Sequence, residues 1–98
     1  MRRRNLKRML ETTVRVVNHL GLHARAAGQL VKLARRFKSR ITLRKPDGSA
    51  EADARSMLSV LTLAAAINSR LIVEIDGEDE RKAMDAITQL FESGFGEK

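Results

Sequence analysis

The segment Gly21 to Ala27 holds the residues of this sequence that are best suited to chemistry. His23 is followed two positions later by Arg25, in the order Gly-Leu-His-Ala-Arg-Ala-Ala. An unprotonated imidazole nitrogen is a nucleophile near neutral pH, and a guanidinium can bind a phosphoryl group through two parallel hydrogen bonds. The pair therefore predicts a site that holds a phosphoryl group or a similar anion.

The elements around this segment predict where His23 lies. Residues 12–17 alternate in polarity, which is typical of a strand, and the apolar positions after residue 24 recur at helical spacing up to Phe37. His23 is thus expected just before a helix, where backbone amides lack acceptors and the helix dipole favours an anion. We expect Ala24 and Arg25 to bind phosphate together with His23. The alternative is that His23 is only a helix cap or a partly buried loop residue.

The rest of the chain predicts three more strands and two more helices. Strands are expected at 40–44, at about 49–53 after the Pro46-Asp47-Gly48 turn, and at 70–76. One helix is expected from an N-cap at Ser56 to about Asn68, and another from the acidic residues 78–80 to about residue 93. The order β-α-β-β-α-β-α predicts an α+β fold, with helices on one face of a four-stranded, mostly antiparallel sheet.

Composition limits the domain organisation and the cofactors. A length of 98 residues is enough for one domain, expected over 12–98. The chain has no cysteine, which excludes disulfides and thiolate metal sites, and neither a metal nor a cofactor is predicted. Residues 1–11 carry five basic residues and one acid, without the apolar segment of a signal peptide. We expect a disordered N-terminal extension, a cytoplasmic protein and no membrane insertion.

The charge pattern and the many apolar residues of the helix after Ser56 predict an interface with partner proteins. The net charge is +7, and residues 12–55 alone carry ten basic residues against three acids. The helix after Ser56 has more apolar residues than one face can hold, so some are expected to form an exposed patch. Such a patch with a basic rim suits an acidic, partly apolar protein. The predicted interface comprises Arg25, Lys32, Arg55, Met57, Leu58 and Leu61.

Other functions of a small basic domain are less well supported. An RNA-binding domain is one alternative, but the strands carry no aromatic residue for base stacking and no G-x-x-G loop joins two helices. A hydrolase is disfavoured because His23 has no recognisable nucleophile and acid set. We therefore expect a monomeric protein that does not bind nucleic acid.

Three segments together resemble the HPr family of phosphocarrier proteins, including its nitrogen-branch relatives. They are Gly-Leu-His-Ala-Arg at 21–25, Ala-Arg-Ser-Met-Leu at 54–58 and Gly-Glu-Asp-Glu at 77–80, within a match over about residues 12–93. The resemblance implies an open-faced β-sandwich and a phosphoryl carrier, not an enzyme. It implies that His23 is phosphorylated on Nδ1 by the phosphoenolpyruvate-dependent general phosphotransferase kinase, of the enzyme I type. Arg25 would be its charge partner, and downstream transport or regulatory domains would receive the phosphoryl group.

Departures from the family pattern leave specific questions. Ala26 stands where the family usually has proline, which is expected to alter stability by about 1 kcal/mol or less. That change also keeps open a regulatory paralogue that binds partners without relaying phosphate. Ser56 matches a serine that a regulatory kinase phosphorylates in some lineages, although a plain N-cap explains it without any regulation. His19 is expected to be an exposed loop residue, and Asn68 is expected to take the conformation that glycine usually has there.

Overall fold

The computed structural model describes residues 9–97, in which four strands and three α-helices follow the predicted order. The first eight residues, to which most of the predicted N-terminal extension belongs, lie outside this range. No helix within residues 9–97 is long and apolar enough to cross a membrane. The elements are β1 Leu10–Arg15, α1 Ala24–Ala34, β2 Arg40–Arg44, β3 Glu51–Asp53, α2 Met57–Thr62, β4 Arg70–Asp76 and α3 Glu80–Glu92, followed by a 3₁₀ turn at Gly94–Gly96.

The strands form one antiparallel sheet in the order β1-β4-β2-β3. β4 is central and pairs with β1 from Leu10 opposite Ile75 to Arg15 opposite Arg70. β2 and β3 form the hairpin predicted around Pro46. The α+β class and the mostly antiparallel sheet are therefore confirmed, and every strand pair described is antiparallel.

One face of the sheet and the inner faces of the helices form the core. The inward positions alternate along each strand, as the period of two requires, and the helices present residues spaced by three and four. The opposite face is open, and there Arg44 donates to Glu74 at 3.3 Å and to Glu11 at 3.5 Å. Core residues include Val14, Leu30, Ala34, Ile41, Leu43, Val73, Ile75, Ile87 and Phe91.

The first strand begins two residues earlier than predicted. Leu10 and Glu11 pair with Ile75 and Glu74, whereas the sequence pattern placed the start of the strand at Thr12. The partner strand β4 continues to Asp76, so its last residues pair with Leu10 and Glu11. This pairing depends on a distant strand and is not visible in the sequence around residue 10. The first strand thus extends into the segment predicted to be a tail.

The second helix is much shorter than predicted, because it ends at Thr62 and not near Asn68. Ala64 has a φ of 49°, and Asn68 has a φ of 73°, the left-handed conformation expected of that residue. The end of this segment pairs with the residue that follows β1, since the amide of Asn68 donates to the carbonyl of Val16 at 2.7 Å. Burial of Leu63 and this backbone pairing outweigh the helix propensity of three consecutive alanines.

Candidate functional site

His23 is the N-cap of α1, as the sequence predicts. Its backbone is extended, with φ of −75° and ψ of −178°, and its carbonyl accepts from the amide of Ala27 at 2.8 Å. The ring nitrogen Nδ1 accepts from the amide of Arg25 at 3.4 Å, a long contact that leaves that amide weakly bonded. Nδ1 therefore faces the amino end of the helix.

The first turn of α1 offers backbone donors beside His23. Ala27 is the first helical residue whose amide reaches a backbone carbonyl, and no carbonyl within residues 9–97 accepts from Ala24 or Ala26. The first turn also contains no acidic residue that would compete for these donors. Free amides and the positive end of the helix dipole together make this position suited to an anion.

The loop before His23 is held against the segment that follows α2. Gly21 has a φ of 67°, and a Cβ atom there would lie 2.4 Å from the carbonyl oxygen of Ala65. Leu22 is buried, and its amide donates to that same carbonyl at 2.9 Å. Only glycine fits this left-handed position and close approach. The loop thereby fixes the direction from which His23 enters α1.

Glu97 is a residue of the site that sequence reasoning missed. Its two carboxylate oxygens lie 3.0 and 2.9 Å from Nε2 of His23, and Nδ2 of Asn18 donates to Oε1 at 3.0 Å. The side chains of His23 and Glu97 are 28% and 14% exposed. Hydrogen bonds from Asn18 and then His23 lower the pKa of Glu97, and the charge of Arg25 acts in the same direction. No sequence signal links residues 74 positions apart.

The C-terminal segment is folded back to bring Glu97 to this position. Gly94, Phe95 and Gly96 all have positive φ, at 64°, 57° and 74°. The ring of Phe95 is buried and meets Phe91 edge to face, with the ring centroids 5.0 Å apart. Gln29 of α1 donates to the carbonyl of Phe95 at 3.1 Å. The segment is therefore anchored to both α1 and α3.

The predicted basic residues on α1 are exposed. Arg25 and Lys32 lie seven residues apart, so they share one face of the helix. The solvent-facing stripe of α1 is thus basic from the first turn to the last. Neither side chain makes an ion pair within residues 9–97.

The predicted apolar patch exists, with one correction and one addition. Leu58 is 74% exposed and Leu61 is also exposed, as expected. Met57 is different, because it is partly buried and packs against the core near Gly28 of α1. Leu20, in the loop before His23, is 70% exposed and was not predicted. We use "apolar patch" below for Leu58 and Leu61.

Arg55 and Ser56 lie at the other end of α1 from His23. Arg35, at the carboxyl end of α1, donates through Nε to the carbonyl of Arg55 at 3.1 Å, whereas Leu22 bonds the segment after α2. The two helices therefore run antiparallel, and the 11 residues of α1 separate the two ends by roughly 16 Å. Arg55 therefore lies next to the start of α2 and away from His23, and its place in the partner interface stays a prediction.

Ser56 has the capping geometry that was predicted. Its Oγ accepts from the amide of Ser59 at 3.3 Å, so Ser56 is the N-cap of α2. This role accounts for a serine there without any modification. His19 is exposed in the loop, also as predicted.

Comparisons with known proteins agree with this arrangement. The family model described as "PTS HPr component phosphorylation site" matches residues 10–93. The chain is 42% identical to phosphocarrier protein HPr of Cupriavidus necator, over 91% of this chain and 98% of the relative. It is 45% identical to phosphocarrier protein NPr of Proteus mirabilis, over 86% of this chain and 92% of the relative. The chain belongs to the HPr family.

The solved structure of HPr-C-His from Thermoanaerobacter tengcongensis confirms the fold. Its TM-score is 0.85 at 32% identity, and the match covers 91% of this chain and 98% of that one. HPr and NPr proteins are phosphocarriers of the phosphotransferase system, not catalysts, which agrees with the predicted carrier. Both names occur among the relatives at similar identity, so the comparisons support the system and not one branch of it.

The described residues contain no cluster of metal ligands. No group of three or more His, Cys, Asp or Glu side chains within residues 9–97 could hold an ion. The contacts of His23 are with Glu97 and the start of α1.

Proposed function

We propose that this protein accepts a phosphoryl group on Nδ1 of His23 from the phosphoenolpyruvate-dependent general phosphotransferase kinase. It then passes the group to acidic transport or regulatory domains. The observation that carries the proposal is the position of His23 at the start of α1, with Nδ1 toward the helix amides. A cytoplasmic location and a monomeric carrier are part of the proposal.

The chemistry of the transfer follows from this position. The lone pair of Nδ1 forms the nitrogen–phosphorus bond while the bond between phosphorus and the donor breaks. The phosphoryl oxygens then lie beside the amides of Ala24 and Arg25, whose hydrogen bonds to charged oxygens are stronger than those to neutral acceptors. The Arg25 guanidinium supplies a further positive charge. Transfer to the next protein reverses the same steps, so the site needs only moderate affinity for the group.

The docking surface in this proposal consists of the apolar patch together with Arg25 and Lys32. The apolar side chains would be covered by the partner, and the basic stripe would attract an acidic one. Arg55, at the far end of α1, would act as a peripheral contact.

Phosphorylation of Ser56 by a serine kinase would act on docking and not on His23 directly. Its hydroxyl lies at the start of α2, near the carboxyl end of α1. A phosphate there adds negative charge where an acidic partner approaches, which is repulsive. The proposed effect is slower association without loss of chemistry at His23.

The test is to incubate the pure protein with labelled phosphoenolpyruvate and the general phosphotransferase kinase. We expect acid-labile, alkali-stable phosphate on the wild-type protein and none on His23→Ala. His19→Ala is the matched control, because His19 is exposed in the same loop and should leave labelling unchanged. Phosphate on His23→Ala would overturn the assignment. A wild-type protein that binds the kinase without being labelled would favour the regulatory paralogue.

A further inference from the structure

We propose that Glu97 is the positioning residue for His23, holding the Nε2–H and pairing with the positive ring that forms on phosphorylation. This inference rests on the proposed function, and it concerns how the C-terminal segment serves that function. The direct observation is that both carboxylate oxygens of Glu97 lie within 3.0 Å of Nε2.

The contacts of the two ring nitrogens define the tautomer. An ionised carboxylate is only an acceptor, so Nε2 must carry the hydrogen in its contact with Glu97. A backbone amide is only a donor, so Nδ1 must offer its lone pair to Arg25. Both contacts favour the same tautomer, which leaves Nδ1 as the nucleophile. Glu97 also blocks Nε2 as an alternative site of phosphorylation.

The charge balance of the transfer gives Glu97 a second role. When neutral imidazole attacks phosphorus through Nδ1, the nitrogen–phosphorus bond forms, the Nε2 proton stays in place, and the ring becomes an imidazolium. When the group leaves, the bonding electrons return to Nδ1 and restore the neutral ring. Loss of the Nε2 proton would instead require an imidazolate leaving group. The carboxylate stabilises the protonated, phosphorylated ring more than the neutral one.

The backbone leading to Glu97 supports a role beyond packing. Three consecutive residues with positive φ include Phe95, for which the left-handed conformation is unfavourable. The buried Phe95 ring and the bond from Gln29 compensate for that conformation. Strained backbone is retained where the surrounding structure imposes it, and here the outcome is a carboxylate placed on the phosphoryl acceptor. Asn18, which is fully buried, holds the same carboxylate from the other side.

Within residues 9–97, Glu97 contacts His23 directly, and the charge of Arg25 acts on that carboxylate. Glu97 arrives from the C-terminal segment, and Arg25 belongs to the first turn of α1; both enter the electrostatics of the pair. A test of Glu97 must therefore separate its hydrogen bond from its effect on net charge. Glu78→Gln provides the matched control, since Glu78 is exposed next to α3 and the substitution removes the same charge.

The first experiment needs no partner protein. The full chain is treated with potassium phosphoramidate, whose phosphorus–nitrogen bond breaks to release ammonia as the group moves to a ring nitrogen. Phosphorus–proton correlation NMR then identifies the phosphorylated nitrogen. We expect Nδ1 phosphate on the wild-type protein and on Glu78→Gln, and a mixture with substantial Nε2 phosphate on Glu97→Ala. Unchanged Nδ1 selectivity in Glu97→Ala would overturn the blocking role.

The second experiment measures loss of phosphate from the Nδ1-phosphorylated forms against pH. Because the carboxylate favours the protonated ring, the pH of half-maximal loss should move lower in Glu97→Ala. At neutral pH, phosphoryl exchange between Glu97→Ala and the kinase should be roughly tenfold slower than for the wild-type protein. One hydrogen bond to a charged group accounts for an effect of that size. Glu97→Gln keeps an acceptor oxygen without the charge and should fall between the two. A profile equal to that of the wild-type protein would overturn the charge-pairing role.

The experiments can reject the role of Glu97 and the proposed phosphoryl relay independently of each other. Failure of the kinase to label the wild-type protein would reject the proposed relay, while the phosphoramidate arm would still test Glu97. Labelling of Glu97→Ala at the wild-type rate, with unchanged selectivity and pH profile, would reject Glu97 and leave His23 as the carrier. Equal melting temperatures for Glu97→Ala and Glu78→Gln would exclude unfolding as the cause of an effect.

Discussion

The two ring nitrogens of His23 meet different parts of the chain, and this asymmetry organises the site at the scale of single residues. Nδ1 faces the amide of Arg25 in the next turn, whereas Nε2 contacts Glu97 from the other end of the sequence. The first contact could be predicted, because a histidine just before an apolar-periodic segment is a candidate cap. The second could not, because the fold alone brings Glu97 to the histidine.

The guanidinium of Arg25 should matter for transfer and not for folding. Arg25 is exposed and forms no ion pair within residues 9–97, so Arg25→Ala should change the free energy of unfolding by less than about 0.5 kcal/mol. Loss of a charged contact to the phosphoryl group should slow exchange by roughly tenfold. Rapid-quench measurement of phosphoryl exchange and thermal melting check the two expectations. Arg81→Ala, on the exposed face of α3, is the matched control, and equal exchange rates for both variants would remove Arg25 from the site.

Helix α1 differs from the family pattern at Ala26, and the structure makes the consequence testable at the scale of the element. Ala26 lies in the first turn, and no carbonyl within residues 9–97 accepts from its amide. Ala26→Pro therefore breaks no backbone hydrogen bond and reduces the freedom of the unfolded chain. We expect the free energy of unfolding to rise by about 0.4 to 1 kcal/mol, measured by denaturant titration. Destabilisation would show either that the alanine amide has a structural role or that this fully buried position has no room for the proline ring.

A substitution in the apolar patch tests whether the kinase docks on α2. Leu58→Glu places an acid on a highly exposed position, so it should leave the melting temperature nearly unchanged and slow exchange with the kinase. Met9→Glu makes the same chemical change at another exposed apolar residue, on the strand side of the molecule, and should leave exchange unaffected. Met57→Glu should destabilise the fold, because Met57 packs against the core. Wild-type exchange by a folded Leu58→Glu variant would mean that the partner docks elsewhere.

Asp79, at the start of α3, forms hydrogen bonds with the segment before β2. The ionisation of its carboxylate predicts how the free energy of unfolding depends on pH. Its carboxylate accepts from the Ser39 hydroxyl at 2.5 Å and from the amides of Lys38 and Ser39 at 2.9 and 3.0 Å. These bonds, the Ser39 hydroxyl foremost, lower the pKa of Asp79 in the folded protein. The stabilisation is therefore fully present above the unfolded pKa of about 3.9 and is lost as pH falls through the lower folded value.

The variant Asp79→Asn separates this contribution from the rest of the acid response. Its deficit in unfolding free energy relative to the wild-type protein should be largest near neutral pH and should shrink as the pH falls below about 4. Denaturant titrations at several pH values measure that difference. Asp85→Asn, which removes a carboxylate from an exposed position of the same helix, is the control for the loss of one negative charge. A constant deficit for Asp79→Asn would mean that ionisation of Asp79 is not the cause.

At the scale of the whole molecule, the sequence predicted the order of elements and the location of His23, because both depend on local periodicity and caps. It misjudged the end of α2, because the helix stops at Thr62 and Ala64 and Asn68 beyond it have left-handed backbone conformations. It also predicted Met57 as part of the exposed patch, whereas Met57 packs against the core. Which face a residue presents, and at which end of a helix pair it lies, are set by tertiary packing that periodicity does not encode.

The basic N-terminus supplies the last prediction, which concerns where the folded domain begins. Residues 1–8 contain five basic residues and no acid, so their deletion lowers the net charge from +7 to +2. We expect that deletion to leave the free energy of unfolding within about 0.5 kcal/mol of the full chain, and phosphoryl exchange close to the wild-type rate.

The matched comparison is deletion of residues 1–11, which removes Met9 and also the two strand residues Leu10 and Glu11. These residues pair with Ile75 and Glu74, so the longer deletion shortens the ladder between β1 and the central strand and should clearly lower the melting temperature. Thermal melts of the two truncated proteins under identical salt conditions measure the contrast. If both deletions were equally harmless, the pairing of Leu10 would contribute nothing to stability. If removal of residues 1–8 alone were strongly destabilising, the basic segment would be part of the folded domain and not an extension of it.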